Sequence, residues 1–202
     1  GDPSRRFLGT PGLVIACPST PQDCYDMMWA SASSQKPVLF LEHLNILKTL
    51  KGTLERRIPP LMEIETYGIR IAREGTDITI ASYGALLHQC LAAADAVAQT
   101  DGISAEVLDM RILSPLQKKT ITDSVTKTGR LITVEEGPAQ GGIGAEIAAC
   151  VYEDQTAFYR LSVPIKRIAA PWMHPPPPDF WTVYTPQKEA IVEAIRQLVA
   201  QR

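Results

Sequence analysis

Short apolar runs separated by stretches of helical spacing are what most narrows the folds open to this chain. Residues 13–17 (Leu-Val-Ile-Ala-Cys) and 37–41 (Pro-Val-Leu-Phe-Leu) read as strands. So do residues 78–82, 105–109, 131–135 and, more briefly, 165–168. Thr20 is placed to cap a helix whose first turn holds Pro21, where the missing N–H of proline costs nothing. That helix runs to about Ser33, with Tyr25, Met28, Trp29 and Ala32 at helical spacing. A second helix opens at Gly84, continues through Leu87, Cys90, Leu91, Ala94 and Val97, and ends at Gly102. Pro115 precedes a third, with Leu116, Thr120, Ile121 and Val125, stopped by Gly129. Residues 145–152 and the amphipathic stretch 188–200 supply two more. Strands alternating with helices of roughly 10–15 residues imply an α/β fold: a mainly parallel sheet with helices on both faces, three layers in all.

The rhythm breaks once. Between residues 44 and 67 the chain carries Gly52, Pro59 and Pro60 among charges, with little periodicity. The expected organisation is a partial β-α-β piece at residues 1–45, a linker at 46–66, and a complete second domain at 67–202. A piece of 45 residues leaves a sheet edge and an apolar helix face uncovered, so self-association is expected.

Composition removes several function classes. The chain has 202 residues and a formal net charge of -2, so no basic footprint for nucleic acid or an anionic membrane is expected. No apolar run approaches the roughly 20 residues needed to span a bilayer. Residues 1–6 lack the layout of a signal peptide. The four cysteines, Cys17, Cys24, Cys90 and Cys150, form no Cys-x-x-Cys pair and sit in apolar stretches, so reduced core thiols in an intracellular compartment are expected.

Few residues look chemical. The segment 135–146 (Glu-Glu-Gly-Pro-Ala-Gln-Gly-Gly-Ile-Gly-Ala-Glu) is a glycine-rich turn between a strand and a helix. Such a turn either cradles a phosphate on the helix N-terminus or allows close packing. It matches no Walker pattern, and Glu135, Glu136 and Glu146 disfavour an anion, so Gly141, Gly142, Gly144 and Glu146 are read as packing and interface positions. His43 follows Glu42 at a strand end, where α/β sheets place function. His88 lies within a helical pattern and reads as a surface or core-edge residue. Pro175 to Pro178 form four consecutive prolines, which read as a stiff loop or a docking surface with Trp172, His174, Phe180 and Trp181. The residues alone give an α/β domain with no self-contained active site.

Several blocks together resemble one family. Residues 11–15 with 18–23 (Pro-Ser-Thr-Pro-Gln-Asp), 37–43, 107–115 (Val-Leu-Asp-Met-Arg-Ile-Leu-Ser-Pro), 124–131 with Lys127-Thr128-Gly129-Arg130, 135–147 and 164–168 are similar to segments of the beta subunits of thiamine-diphosphate-dependent 2-oxoacid dehydrogenases. That resemblance implies a transketolase C-terminal-like domain preceded by the end of a pyrimidine-binding domain. It implies oxidative decarboxylation of a 2-oxoacid and acyl transfer to lipoyl groups. The implied partners are an alpha subunit, a second beta subunit and the dihydrolipoyl acyltransferase core, in a bacterial cytoplasm or the mitochondrial matrix.

Thiamine diphosphate and Mg2+ belong to the assembled enzyme, and none is expected to bind this chain alone. The family's catalytic glutamate and histidine lie upstream of the segments matched, so no catalytic or cofactor-binding residue is assigned, and this portion is expected to serve assembly and docking. Ser31, Ser34 and Lys36 match a structural monovalent-cation site of the family, where the lysine charge argues against an ion. Trp172 stands where members often have aspartate, near the acyltransferase surface. The competing resemblance is to transketolase or deoxyxylulose phosphate synthase, against which the Pro-Ser-Thr-Pro block and the spacing from Lys127 to the glycine turn both argue.

Overall fold

A computed structural model describes residues 2–44, 46, 50, 54–55, 57–59 and 62–201. Gly52 and Pro60, two of the breakers used to place the linker, lie outside them. The chain opens with β1 (Val14–Ala16), α1 (Pro21–Ser33) and β2 (Val38–Phe40). It continues with β3 (Arg70–Arg73), β4 (Ile78–Ser82), α2 (Ala85–Asp101), β5 (Ala105–Asp109), β6 (Ile112–Ser114) and α3 (Lys118–Thr128). Then follow β7 (Leu131–Pro138), α4 (Ile143–Glu153), α5 (Gln155–Arg160), β8 (Lys166–Ala170), α6 (Trp181–Tyr184) and α7 (Lys188–Ala200).

A five-stranded sheet runs in the order β3-β5-β4-β7-β8, parallel except for β3, which is antiparallel to β5. Side chains leave alternate faces of a strand, and the two cores follow that period. Ile78, Ile80, Val107, Ile132 and Val134 meet α2 and α7 through Leu87, Cys90, Val97, Ile191 and Ile195. Ala81, Leu108 and Leu131 face the other way, onto Ile121 and Val125 of α3 and Ile147 and Val151 of α4. The three-layer α/β architecture expected from the strand rhythm is therefore the one observed.

Two strands escaped the sequence reading. β3 reads Arg-Ile-Ala-Arg, an edge strand with half-exposed side chains and no apolar run to announce it. β6 begins three residues after β5 and is too short to show a period. Yet β6 leaves the large sheet and pairs antiparallel with β1, completing a second sheet in the order β2-β1-β6. Ile15 of β1 packs into the core under the large sheet, while Val14 and Ala16 pack with Met27, Ala30, Ile64 and Ile112. The opening β-α-β piece is thus stitched to the second unit by hydrogen bonds as well as by apolar contact.

Charge secures the same junction. Thr20 caps α1 through the Asp23 N–H at 3.1 Å, as its position foretold. The buried Asp23 carboxylate takes Arg111 Nη1 at 3.0 Å and Arg70 Nη2 at 2.9 Å. Arg70 also reaches the fully buried Asp109 at 2.7 Å, and the Ser19 hydroxyl donates to Asp109 at 2.6 Å. Ser19 Oγ in turn accepts the Gly84 N–H at 2.9 Å, and its carbonyl meets His88 Nε2 at 2.7 Å. Arg111 lies 5.6 Å over the Tyr67 ring and donates to the Tyr67 carbonyl. Removing one partner of a buried pair strands the other charge. Because Arg70 is about a third exposed, the Asp23→Ala variant should lose about 2–3 kcal/mol in urea denaturation, somewhat under the full buried-pair value. A loss below about 0.5 kcal/mol would mean the network is only a surface one.

Candidate functional site

The carboxyl ends of β4, β5, β7 and β8 point to one side of the large sheet, where open α/β sheets place their ligand crevices. β7 delivers two neighbouring acids to opposite sides. Glu136 turns out to His43, which follows β2; His43 Nε2 stands 2.5 Å from Glu136 Oε2. Glu135 turns in and is 1% exposed.

Glu135 explains the glycines beyond it. A Cβ on Gly142 would lie 1.7 Å from Glu135 Oε2, and one on Gly144 would lie 2.7 Å from Oε1 and 2.6 Å from Thr133 Oγ1. Gly142 has φ -87, which any residue adopts, so the need for glycine there is purely one of space. Gly141 differs: its φ of +69 is left-handed and suits glycine by conformation. The carboxylate therefore occupies the first turn of α4, the ground a phosphate would take, and a negative charge there suits the helix dipole. From β8 the Arg167 guanidinium stands 3.6 Å away and ties the turn by donating to the Ala139 carbonyl. Both Glu135 oxygens, Thr133 Oγ1 and Arg167 Nε are buried without a hydrogen-bond partner among the described residues. Burial pushes the Glu135 carboxyl up to about 7, against the opposing pull of Arg167.

Two clefts flank this cluster. The smaller, of about 160 Å³, is bounded by His43, Glu136, Gln89, Trp181, Thr185 and Gln187. An imidazole within hydrogen-bond reach of a carboxylate is a pairing able to serve acid or base chemistry. The nearest thiol, Cys17, is held far above its usual range by burial first and by surrounding acids second, and stays protonated. The larger cleft, of about 830 Å³, lies between the N-terminal segment, with Asp2, Arg5 and Arg6, and the proline-rich loop, with Trp172, Met173 and His174. Among the described residues no group of three or more His, Cys, Asp and Glu side chains is placed to hold a metal ion.

The residues singled out from sequence scatter across these features. Gly141 and His174 share the larger cleft with Trp172, which is 72% exposed. Gly142 and Gly144 are buried against Glu135, an intrachain reason for their size, while Glu146 sits exposed on the first turn of α4. Trp181 stacks on Tyr184 at 5.6 Å and borders the smaller cleft; Phe180 is exposed. Ser31 donates to the Met27 carbonyl at 2.7 Å, Ser34 Oγ accepts the Lys36 N–H at 3.1 Å, and the Lys36 ammonium pairs with Glu65. All four cysteines are free; Cys17, Cys90 and Cys150 are buried and Cys24 is half-buried. The sequence reading missed the partnership of His43 with Glu136 and the approach of Arg5 to the glycine turn. His43 at a strand end was a signal for the first; the second had none, because 135 residues separate Arg5 from Gln140.

Raising a carboxyl above its unfolded value near 4.5 gives stability that is full below that pH and lost as pH climbs through about 7. The Glu135→Gln variant should lack this loss and exceed the parent by about 2–3 kcal/mol at pH 8, measured as urea unfolding from pH 4 to 8. Parallel pH profiles for the two proteins would show that Glu135 is not a perturbed group.

Comparison with known proteins fits this geometry. The family described as "Transketolase, C-terminal domain" matches residues 68–191. The pyruvate dehydrogenase E1 component subunit beta of Bacillus subtilis is 36% identical over 189 residues, covering 94% of this chain and 56% of that protein. The mitochondrial 2-oxoisovalerate dehydrogenase subunit beta of Chaetomium thermophilum is 36% identical over 176 residues, 87% of this chain and 36% of its own length. The beta subunit of an acetoin:2,6-dichlorophenolindophenol oxidoreductase from Cupriavidus necator is 36% identical over 193 residues, 95% of this chain and 55% of that protein. The chain spans about half the length of most of these relatives. A solved structure titled "Split gene transketolase, inactive beta4 tetramer" superposes with a TM-score of 0.76 over 98% of this chain and 60% of its own, at 21% identity, which speaks for the fold. With its described strands and helices following that architecture and 124 of its 202 residues (68–191) matched, the chain belongs to the transketolase C-terminal domain family.

Proposed function

We propose that this chain is the C-terminal part of the beta subunit of a thiamine-diphosphate-dependent 2-oxoacid dehydrogenase, and that its own work is subunit assembly and docking. The observation that carries the reading is similarity along 87–95% of the chain to beta subunits named for three different substrates. One shared framework beneath three substrate names suits a segment that holds the enzyme together more than one that chooses its substrate.

The residues present do not fit the cofactor by themselves. A thiamine diphosphate site needs a cradle for the diphosphate and oxygen ligands for Mg2+. The glycine turn is the natural cradle, and the Glu135 carboxylate fills it. Thiamine diphosphate and Mg2+ therefore belong, in this reading, to the assembly with an alpha subunit and a second beta subunit. Docking of a dihydrolipoyl acyltransferase core is assigned to the loop with Trp172, His174 and Phe180, whose exposed rings suit anchors for a partner. Met28 and Trp29, 43% and 45% exposed on α1, offer apolar surface to a neighbouring subunit.

Titration calorimetry with thiamine diphosphate and Mg2+ tests the assignment. The chain alone should give no binding heat, and addition of the matching alpha subunit should restore saturable binding. Tight binding by the chain alone would overturn it.

A further inference from the structure

We propose that the larger cleft binds a small amphipathic anion: a carboxylate or phosphate carried on a flat, apolar body. The proposal rests on residues of this chain; its apolar wall includes Trp172, which the docking reading also uses, and binding of small probes to the chain without any partner protein tells the two apart. At about 830 Å³ the cleft falls within the range of small-molecule sites, and it opens beyond the carboxyl end of β7.

Its free charge is positive. Arg5 and Arg6 face it, and among the described residues Asp2 is the single acid in its wall. Both Asp2 oxygens are engaged, one by the Ser4 N–H at 2.9 Å and the other by the Tyr83 hydroxyl. The two acids of β7 are turned elsewhere, Glu135 beneath Gly142 and Glu136 onto His43. Arg5 uses one Nη2 donor on the Gln140 carbonyl, and a guanidinium carries five. Its side chain runs along Gly137, where a Cβ would come within 3.3 Å of Arg5 Cδ and Nη1. A glycine at that position keeps Arg5 laid against the wall and the space in front of it clear.

The opposite wall is apolar. Trp172 and Met173 are 72% and 57% exposed, and Tyr184 closes the floor. Pro175 begins the run of prolines that stiffens the loop, so these side chains are presented at little entropic cost. Guanidinium groups facing an indole and a thioether suit a ligand with an acidic end and a planar or short acyl body.

Four probes test this on the 202-residue chain by tryptophan fluorescence and calorimetry: 2-naphthoate, 2-naphthyl phosphate, neutral 2-naphthol and inorganic phosphate. At least one naphthyl anion should bind about tenfold or more tightly than both 2-naphthol and inorganic phosphate, and weaken as salt rises. The better of the two identifies the acidic group. Arg6→Gln and Trp172→Ala, both at exposed positions, should each weaken that binding about fivefold with an unchanged circular dichroism spectrum. Equal affinity for 2-naphthol, no saturable binding, or full affinity in both variants would overturn the proposal.

Discussion

The Asp23 carboxylate, held between Arg70 and Arg111, is the contact on which the remainder of this structure depends. β5 ends at Asp109 and β6 begins at Ile112, so Met110 and Arg111 carry the chain from one sheet to the other. Met110 is fully buried, and Arg111 is the corner. An arginine at this half-buried corner needs partners for its donors: Asp23 and the Tyr67 carbonyl take Nη1 and Nη2, while Nε is buried without a partner among the described residues. Arginine suits the position because a rigid fork can serve a carboxylate and a carbonyl at once while its face lies on a ring. Asp109 closes the circuit through Ser19, whose oxygens also reach Gly84 and His88 at the start of α2. α1, β3, β5 and the entry to α2 are thus registered by one set of charges.

That registration positions the candidate site. His43 belongs to the small sheet's end of the chain and Glu136 to the large sheet, so their 2.5 Å contact exists only while the two are held together. The same holds for the N-terminal segment, where Arg5 and Asp2 reach Gln140 and Tyr83. Glu135 does a different job. It fills the glycine turn from within, which converts an apparent phosphate cradle into a packed helix start beside Arg167. A family whose members include enzymes acting on 2-oxoacids here presents a domain with a charged seam and two clefts. Neither cleft carries an activated nucleophile among the described residues.

Much of this was legible before any coordinates. α1 spans Pro21–Ser33, β5 Ala105–Asp109 and α7 Lys188–Ala200 as read from capping and period, because those segments answer to local physics. The strand expected at 131–135 extends to Pro138, since pairing with β8 carries it past the last apolar residue. The helix expected from 145 starts at Ile143, with Gly142 extended as its N-cap and Gly144 leaving room in the first turn for the Glu135 carboxyl. β3 and β6 were invisible for the reason that makes them useful: their residues are chosen for a tertiary partner and carry little period of their own. Of the site, His43 and the glycine turn stood out by position. Asp23, Asp109 and Arg111 gave only a faint sign, charges set beside or within apolar runs, and their meeting depends on a crossing no local rule encodes.

Native-state hydrogen exchange on β1 and β6 tests most directly whether the two sheets form one cooperative body. The amides of Val14–Ala16 and Ile112–Ser114 should open with the same free energy and respond equally to urea, because they pair with one another across the charged seam. If Val14–Ala16 exchanged at a much lower opening free energy while Ile80 and Val107 in the large sheet stayed fully protected, the opening piece would be an independent appendage, and the seam would not be what holds the structure together.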